Sequence, residues 1–119
     1  MLKTKYLYNA IVTNVVDGDT IDVTIDLGFN INTNMRLRLN GVDTKETNSK
    51  VLEERELAAK AKHFIIDMAL GKGVLLETFK PDKYGRYLAN VYLMDLDNTS
   101  INQMLIEKGL AVPYFGGAK

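Results

Sequence analysis

The stretch Thr20-Ile21-Asp22-Val23-Thr24-Ile25-Asp26-Leu27 alternates strictly between polar and apolar side chains. Successive side chains of an extended strand point to opposite faces. This period of two therefore puts Ile21, Val23, Ile25 and Leu27 on a core face, with Thr20, Asp22, Thr24 and Asp26 on the other. The flanks extend the pattern. Residues 6–16 are rich in β-branched and aromatic types and read as a strand, joined to the alternating one by the turn Asp17-Gly18-Asp19. Beyond a polar loop over 28–34, Met35-Arg36-Leu37-Arg38-Leu39 alternates again, with both arginines on the face away from the leucines. Three consecutive β segments come first.

The period then changes. Leu57, Ala61, Phe64, Ile65 and Met68 fall on one helical stripe, and Gly71 is placed to end that helix. Val74 to Thr78 and Leu88 to Met94 read as two further strands, joined by a polar loop from Lys80 to Arg86. Ser100 and Gln103 form a capping box for a short second helix, with Ile101, Met104 and Leu105 as its apolar side and Gly109 as its stop. The tail from Val112 to Gly117 reads as irregular. The order β-β-β-α-β-β-α predicts a β-rich α+β fold. Its core is a five-stranded Greek-key barrel of the oligonucleotide-binding (OB-fold) type, with a helix inserted after strand 3 and a short C-terminal helix. No repeat, linker or low-complexity tract interrupts residues 1–119, so one domain is expected.

The chain has 119 residues, with 15 basic and 15 acidic side chains and a formal net charge of zero. At 46% hydrophobic and 25% charged residues it is unlike a disordered segment, and a chain of this size buries roughly two thirds of its unfolded surface. No apolar run reaches the length of a membrane span, and the first residues show no signal-peptide core; a cytoplasmic location away from membranes is the expectation. Cysteine is absent, which excludes a thiol nucleophile, a disulfide frame and a thiolate zinc site. His63 is the one histidine, expected to be structural or on the surface, so no site rests on paired imidazoles. Carboxylate, arginine, tyrosine and a hard cation remain as chemistry. Zero net charge argues against nonspecific coating of nucleic acid and leaves room for a protein that grips one or two phosphates.

Asp19 shares the parity of Ile21 and Val23. If the register reaches back that far, its carboxylate faces the core side, where a cation or hydrogen bonds must compensate it. Taken alone, Asp17-Gly18-Asp19 reads as a solvated turn. Val42-Asp43-Thr44-Lys45-Glu46 supplies two more acids just after the arginine-bearing strand. Two aspartates converging with a backbone carbonyl and waters suit calcium, and an exposed loop is the equal alternative. Asn40-Gly41 does not read as a hairpin, because no alternating partner strand follows it. Arg38 and Arg86 each offer a planar fork for phosphate oxygens, whereas Arg36 is expected to be solvated or weakly paired. Arg86 closes the cluster Asp82-Lys83-Tyr84-Gly85-Arg86. Tyr114 and Phe115 either close the core or stack on a base. Asp95 to Ser100 begins like a calcium-binding hand. However, Ser100 stands where that loop needs glycine and Ile106 where it needs glutamate, and a turn running into a helix cap suffices.

Four segments together resemble the staphylococcal nuclease family: Val16-Asp17-Gly18-Asp19-Thr20, Arg38 through Glu46, Asp82 through Arg86, and Gly109-Leu110-Ala111. They occur in the family's order with similar spacing over most of the chain. The resemblance implies an OB-fold barrel and calcium-dependent endonuclease cleavage of DNA and RNA, leaving a 3′-phosphate and a 5′-hydroxyl. Carried over by motif position, Asp19 and Asp43 hold Ca²⁺ through carboxylates and Thr44 through its carbonyl. Glu46 activates or orients the attacking water, and Arg38 and Arg86 clamp the scissile phosphate. Lys83 and Tyr84 contact a neighbouring phosphate, and Tyr114 matches a base-stacking tyrosine. The sequence departs from the family at Lys45, where proline is usual, so a looser loop around Glu46 is expected. It departs also in a shorter loop before Asp82 and in the absence of a further C-terminal helix. That last loss is expected to lower stability or to leave a contact for a partner, hence a monomer or weak dimer. The missing signal peptide looks like that of a phage or mobile-element member. The alternative reading is a catalytically disabled nuclease-like module that binds nucleic acid or protein; retention of Asp19, Arg38, Asp43, Glu46 and Arg86 favours the enzyme.

Overall fold

A computed structural model describes residues 6–79, 87–94 and 99–114. The alternating stretch forms β2 (Thr20–Asp26), flanked by β1 (Tyr6–Asp17) and β3 (Asn32–Leu39) in an antiparallel meander. A two-residue strand, β4 (Val42–Asp43), precedes helix α1 (Leu52–Ala69); β5 (Gly73–Phe79), β6 (Tyr87–Leu93), helix α2 (Ile101–Glu107) and β7 (Val112–Pro113) follow. The five long strands close a barrel in the order β1-β2-β3-β6-β5, as the residue periods predict, with β6 running parallel to β3 at the seam.

β1 pairs with both β2 and β5, and its register with β2 slips twice, between Val12 and Asn14 and between Val15 and Asp17. Such irregularities bend and twist a strand, which lets one strand serve two sides of a small barrel. Ile21, Val23 and Ile25 of β2 meet Val12 and Val15 of β1, Leu37 and Leu39 of β3, and Leu76 and Val91 from the closing strands, all buried. α1 sits against this barrel through Ala58, Ala61, Ile65 and Ala69. Three of those four contacts are alanines, so the helix backbone can approach the strands closely. Gly71 and Gly109 adopt positive φ just past the ends of α1 and α2, as expected of helix-stopping glycines.

Several expectations need correction. β2 ends at Asp26 and Leu27 is 42% exposed, because the chain turns at Gly28 before Leu27 can face the core. The polar residues Asn32, Thr33 and Asn34 belong to β3 rather than a loop, since main-chain pairing with Asp26, Ile25 and Thr24 needs no apolar side chain. α1 begins five residues before Leu57, carried by the polar turn Leu52 to Glu56. The tail is not wholly irregular: Val112 and Pro113 pair with Asp43 and Val42. Asn40-Gly41 indeed joins no hairpin, because β4 pairs with β7 and not with β3. Ser100 caps α2 by accepting from the Gln103 N–H, while the turn at 95–98 lies outside the described residues. Among the described residues no helix is long and apolar enough to cross a membrane.

Candidate active site

At one end of the barrel the β1–β2 turn, the end of β3, β4 and the segment leading into α1 meet. The β2–β3 register sets Thr20 opposite Arg38, and the Leu39 N–H donates to the Asp19 carbonyl at 2.8 Å. Gly18 makes this convergence possible. A Cβ at that position would lie 2.8 Å from the Ala61 Cβ and 3.0 Å from the Thr44 Oγ1, so any larger residue would push the turn away from α1 and from the Thr44 segment. β4 is fixed from the other side. The Tyr114 N–H donates to the Gly41 carbonyl at 2.9 Å, and the buried Asn102 amide donates to the carbonyls of Asn40 at 2.8 Å and Ala89 at 3.0 Å. Its Oδ1 also accepts from the Val91 N–H, so one side chain joins α2, β6 and the turn before β4.

Arg38 is the centre of this end. It points away from the leucines as expected, but only 6% of it is exposed, because β4, Tyr114 and the β1–β2 turn cover that face of β3 here. Its Nη1 donates to the Val42 carbonyl at 3.0 Å and the Leu39 carbonyl at 3.4 Å. Its Nη2 lies 3.2 Å from Asp43 Oδ1 and 3.6 Å from Asp19 Oδ2, and the guanidinium carbon stands 5.2 Å from the centre of the Tyr114 ring. Asp19 is thus part of a turn, yet its side chain is not solvated: it is only 16% exposed and takes a hydrogen bond from Thr20 Oγ1 at 3.0 Å. Arg36 behaves differently, standing exposed on the sheet and pairing with Asp22 at 2.8 Å. His63 is exposed on α1.

A cavity of about 560 Å³ opens over Arg38. Asp19, Asp43, Thr44, Glu46 and Tyr114 all line it. Asp17, which the sequence pattern assigns only to a turn, lines it too. Burial pushes its carboxyl above the ordinary value, and the charges of Asp19 and Glu46 add to the rise against an opposing bond from the Gly18 N–H and the charge of Lys62. Among the described lining residues, Asp17, Asp19, Asp43, Glu46 and Glu54 face only Arg38 and Lys45 as cations. Such an excess of carboxylates favours a cation in the cavity.

The donor chemistry can be tested against a metal. Among the described residues no three His, Cys, Asp or Glu side chains are grouped as a ready-made metal cage. What converges is a pair of carboxylates, Asp19 and Asp43, on one Arg38 nitrogen, with no nitrogen or sulfur ligand beside them. Thr44 Oγ1 is buried in the same place with no hydrogen-bond partner among the described residues. An all-oxygen, two-carboxylate set completed by waters suits a hard divalent cation. Lys83, Tyr84 and Arg86 lie outside the described residues.

The segment carrying Glu46 is tied to α1. Ser49 Oγ donates to Glu54 Oε1 at 2.8 Å, and Lys45 Nζ lies 3.5 Å from Glu54 Oε2. The Ser49 N–H donates to the Glu46 carbonyl at 3.1 Å. The loop expected to be loosened by Lys45 is therefore held through that same lysine. Sequence spacing alone does not reveal Glu54 or Asn102, because each acts through contacts that appear only when distant segments meet.

Comparison with known proteins places the chain in a family. The family model described as staphylococcal nuclease homologue matches residues 36–118. An uncharacterized protein of Methanocaldococcus jannaschii, MJ1439, is 33% identical over 130 residues, covering 90% of this chain and 59% of its own length. The SPbeta prophage-derived endonuclease YokF of Bacillus subtilis is 34% identical over 107 residues, covering 90% of this chain and 34% of its own. Endonuclease YncB of the same organism is 32% identical over 107 residues, covering 90% of this chain and 48% of its own. The chain spans less than two thirds of the length of each of these relatives.

Proposed function

We propose that this chain, which belongs to the staphylococcal nuclease family, is an endonuclease that hydrolyses phosphodiester bonds of DNA, and of RNA, at the cavity over Arg38. The observation that carries this reading is the placement of one buried, oriented guanidinium between Asp19 and Asp43 in a cavity that Glu46 also lines. Names of the relatives YokF and YncB as endonucleases support the same reading.

Each residue has a task in it. Arg38 is fixed by its bonds to the Leu39 and Val42 carbonyls and to the Asp43 carboxylate, so its guanidinium borders the cavity already ordered. Attack on a phosphodiester builds negative charge on the non-bridging oxygens, and a preorganised guanidinium stabilises it where it develops. Asp19 and Asp43, with the Thr44 carbonyl, would hold Ca²⁺. When bound, the ion would supply Lewis-acid stabilisation of the phosphate and offset much of the negative charge of a cavity whose carboxylates otherwise repel a polyanion. Glu46 accepts a hydrogen bond from the attacking water and orients it or takes its proton. The leaving group is the 5′-oxygen, giving 3′-phosphate and 5′-hydroxyl ends. Arg86 is assigned the second clamp on the phosphate, Lys83 and Tyr84 a neighbouring phosphate, and Tyr114 the stacking of a base beside the guanidinium it already covers.

The test is degradation of single-stranded DNA by the purified protein in millimolar Ca²⁺ or in chelator, beside Glu46→Gln. Calcium-dependent cleavage that the variant lacks is expected. Nucleic acid that binds without being cut, in the wild type as in the variant, would replace this reading with that of a binding module.

A further inference from the structure

We infer that Glu54, in the first turn of α1, is a positioning residue for Glu46, acting through a clasp made with Lys45 and Ser49. The inference rests on the hydrolytic role assigned to Glu46. Glu46 is flanked in sequence by the two residues that reach Glu54. On one side Lys45 Nζ meets Oε2 at 3.5 Å; on the other Ser49 Oγ donates to Oε1 at 2.8 Å. Ser49 is itself committed on both sides: its N–H donates to the Glu46 carbonyl at 3.1 Å and its Oγ accepts from the Val51 N–H at 3.2 Å. The segment from 45 to 51 is thereby closed into one hydrogen-bonded unit hung from the helix. Lys45, Glu46, Ser49 and Glu54 all border the cavity over Arg38, so displacing the clasp displaces Glu46 relative to Asp19 and Asp43.

The clasp is suited to positioning more than to stability. The Lys45 and Glu54 side chains are 52% and 39% exposed, and exposed pairs contribute little to folding. Nor does Glu54 serve as the cap of α1, which begins after Val51 without a side-chain cap bond. Its carboxyl is held below the ordinary value, first by the Ser49 bond and then by the Lys45 charge, as expected of an anchor that stays ionised. What depends on it is the orientation of a neighbouring carboxylate. Misplacing a reacting group by about 1 Å costs on the order of 100-fold in rate.

The experiment compares the wild type with Glu54→Ala and with the exchanged pair Lys45→Glu/Glu54→Lys. It reads kcat and KM for single-stranded DNA in Ca²⁺, the melting temperature, and amide hydrogen exchange at Ser49 in the metal-free protein. For Glu54→Ala, kcat falls by about 10- to 100-fold, KM and melting temperature stay near wild type, and the Ser49 amide exchanges faster. The exchanged pair recovers most of both losses, because the ion pair re-forms and the Ser49 hydroxyl accepts from lysine. Wild-type exchange in Glu54→Ala overturns the clasp. Faster exchange with unchanged kcat overturns the positioning role, as does a fall in kcat that only follows a fall in melting temperature. If the wild type cuts nothing, or Glu46→Gln cuts as the wild type does, the hydrolytic reading fails instead, and the Ser49 exchange rate still decides whether the clasp exists.

Discussion

Asp17 and Asp22 stand five positions apart, and folding moves their carboxyls in opposite directions. Asp22 is held below its ordinary value by the Arg36 fork, so it adds stability at neutral pH that is lost as pH falls through its folded value. Asp17 is raised, chiefly by burial and then by Asp19 and Glu46. Between the ordinary value of 3.8 and the raised one, the native state binds the extra proton, so stability falls as pH rises through that window. Asp17→Asn keeps an acceptor for the Gly18 N–H and removes the buried charge. Urea unfolding at pH 7 should find the variant more stable than wild type, with the gain fading as pH drops towards 3.8. A variant less stable at pH 7 would mean that the Asp17 charge is compensated in the cavity rather than penalised there.

At the level of elements, Asn102 carries more than its position in a capping box suggests. Its amide satisfies two carbonyls and one N–H from β6 and the turn before β4, all at one buried point of α2. Asn102→Ala removes this partner from the Asn40 carbonyl and the Val91 N–H, at a cost of about 1–3 kcal/mol for each one that water does not reach, while the Ala89 carbonyl keeps the Asn40 N–H at 2.8 Å. The measurable outcome is a marked loss of thermal stability together with weaker calcium binding, since β4 carries Asp43. A loss of stability with calcium affinity unchanged would show that β7 and Tyr114 hold β4 without help. The sequence pattern shows α2 through Ser100 and its apolar side but is silent about Asn102, because a buried asparagine and an exposed one look the same in a seven-residue helix. For the same reason β4 and β7 escape notice: two-residue strands have no period, and their pairing joins positions 42–43 to 112–113. The long strands and α1 are legible because a period of two or of 3.6 repeats often enough to mark a face.

For the whole molecule, pairing between distant segments makes the site. Asp19, Arg38, Asp43, Glu46 and Tyr114 come from the β1–β2 turn, β3, β4, the segment before α1, and the residue after β7, and they border one cavity because β2–β3 pairing sets Asp19 beside Arg38 and β4–β7 pairing brings Tyr114 to the same end. Motif order in the sequence points to most of these residues. It does not show that Arg38 is buried between two carboxylates, since alternation places Arg36 and Arg38 on the same face with equal claim. The covering segments separate them: Arg36 stays on the open sheet, and Arg38 lies under β4 and Tyr114. On the proposed function, hydrolysis belongs to this cavity and not to the open sheet. The most direct test measures single-stranded DNA cleavage in millimolar Ca²⁺ by Arg38→Ala and Arg36→Ala side by side. Arg38→Ala should lose about 10³- to 10⁵-fold in kcat, as other phosphate-clamping arginines do, while Arg36→Ala cuts as the wild type does. Loss of cleavage in Arg36→Ala with activity kept in Arg38→Ala would move hydrolysis to the open sheet.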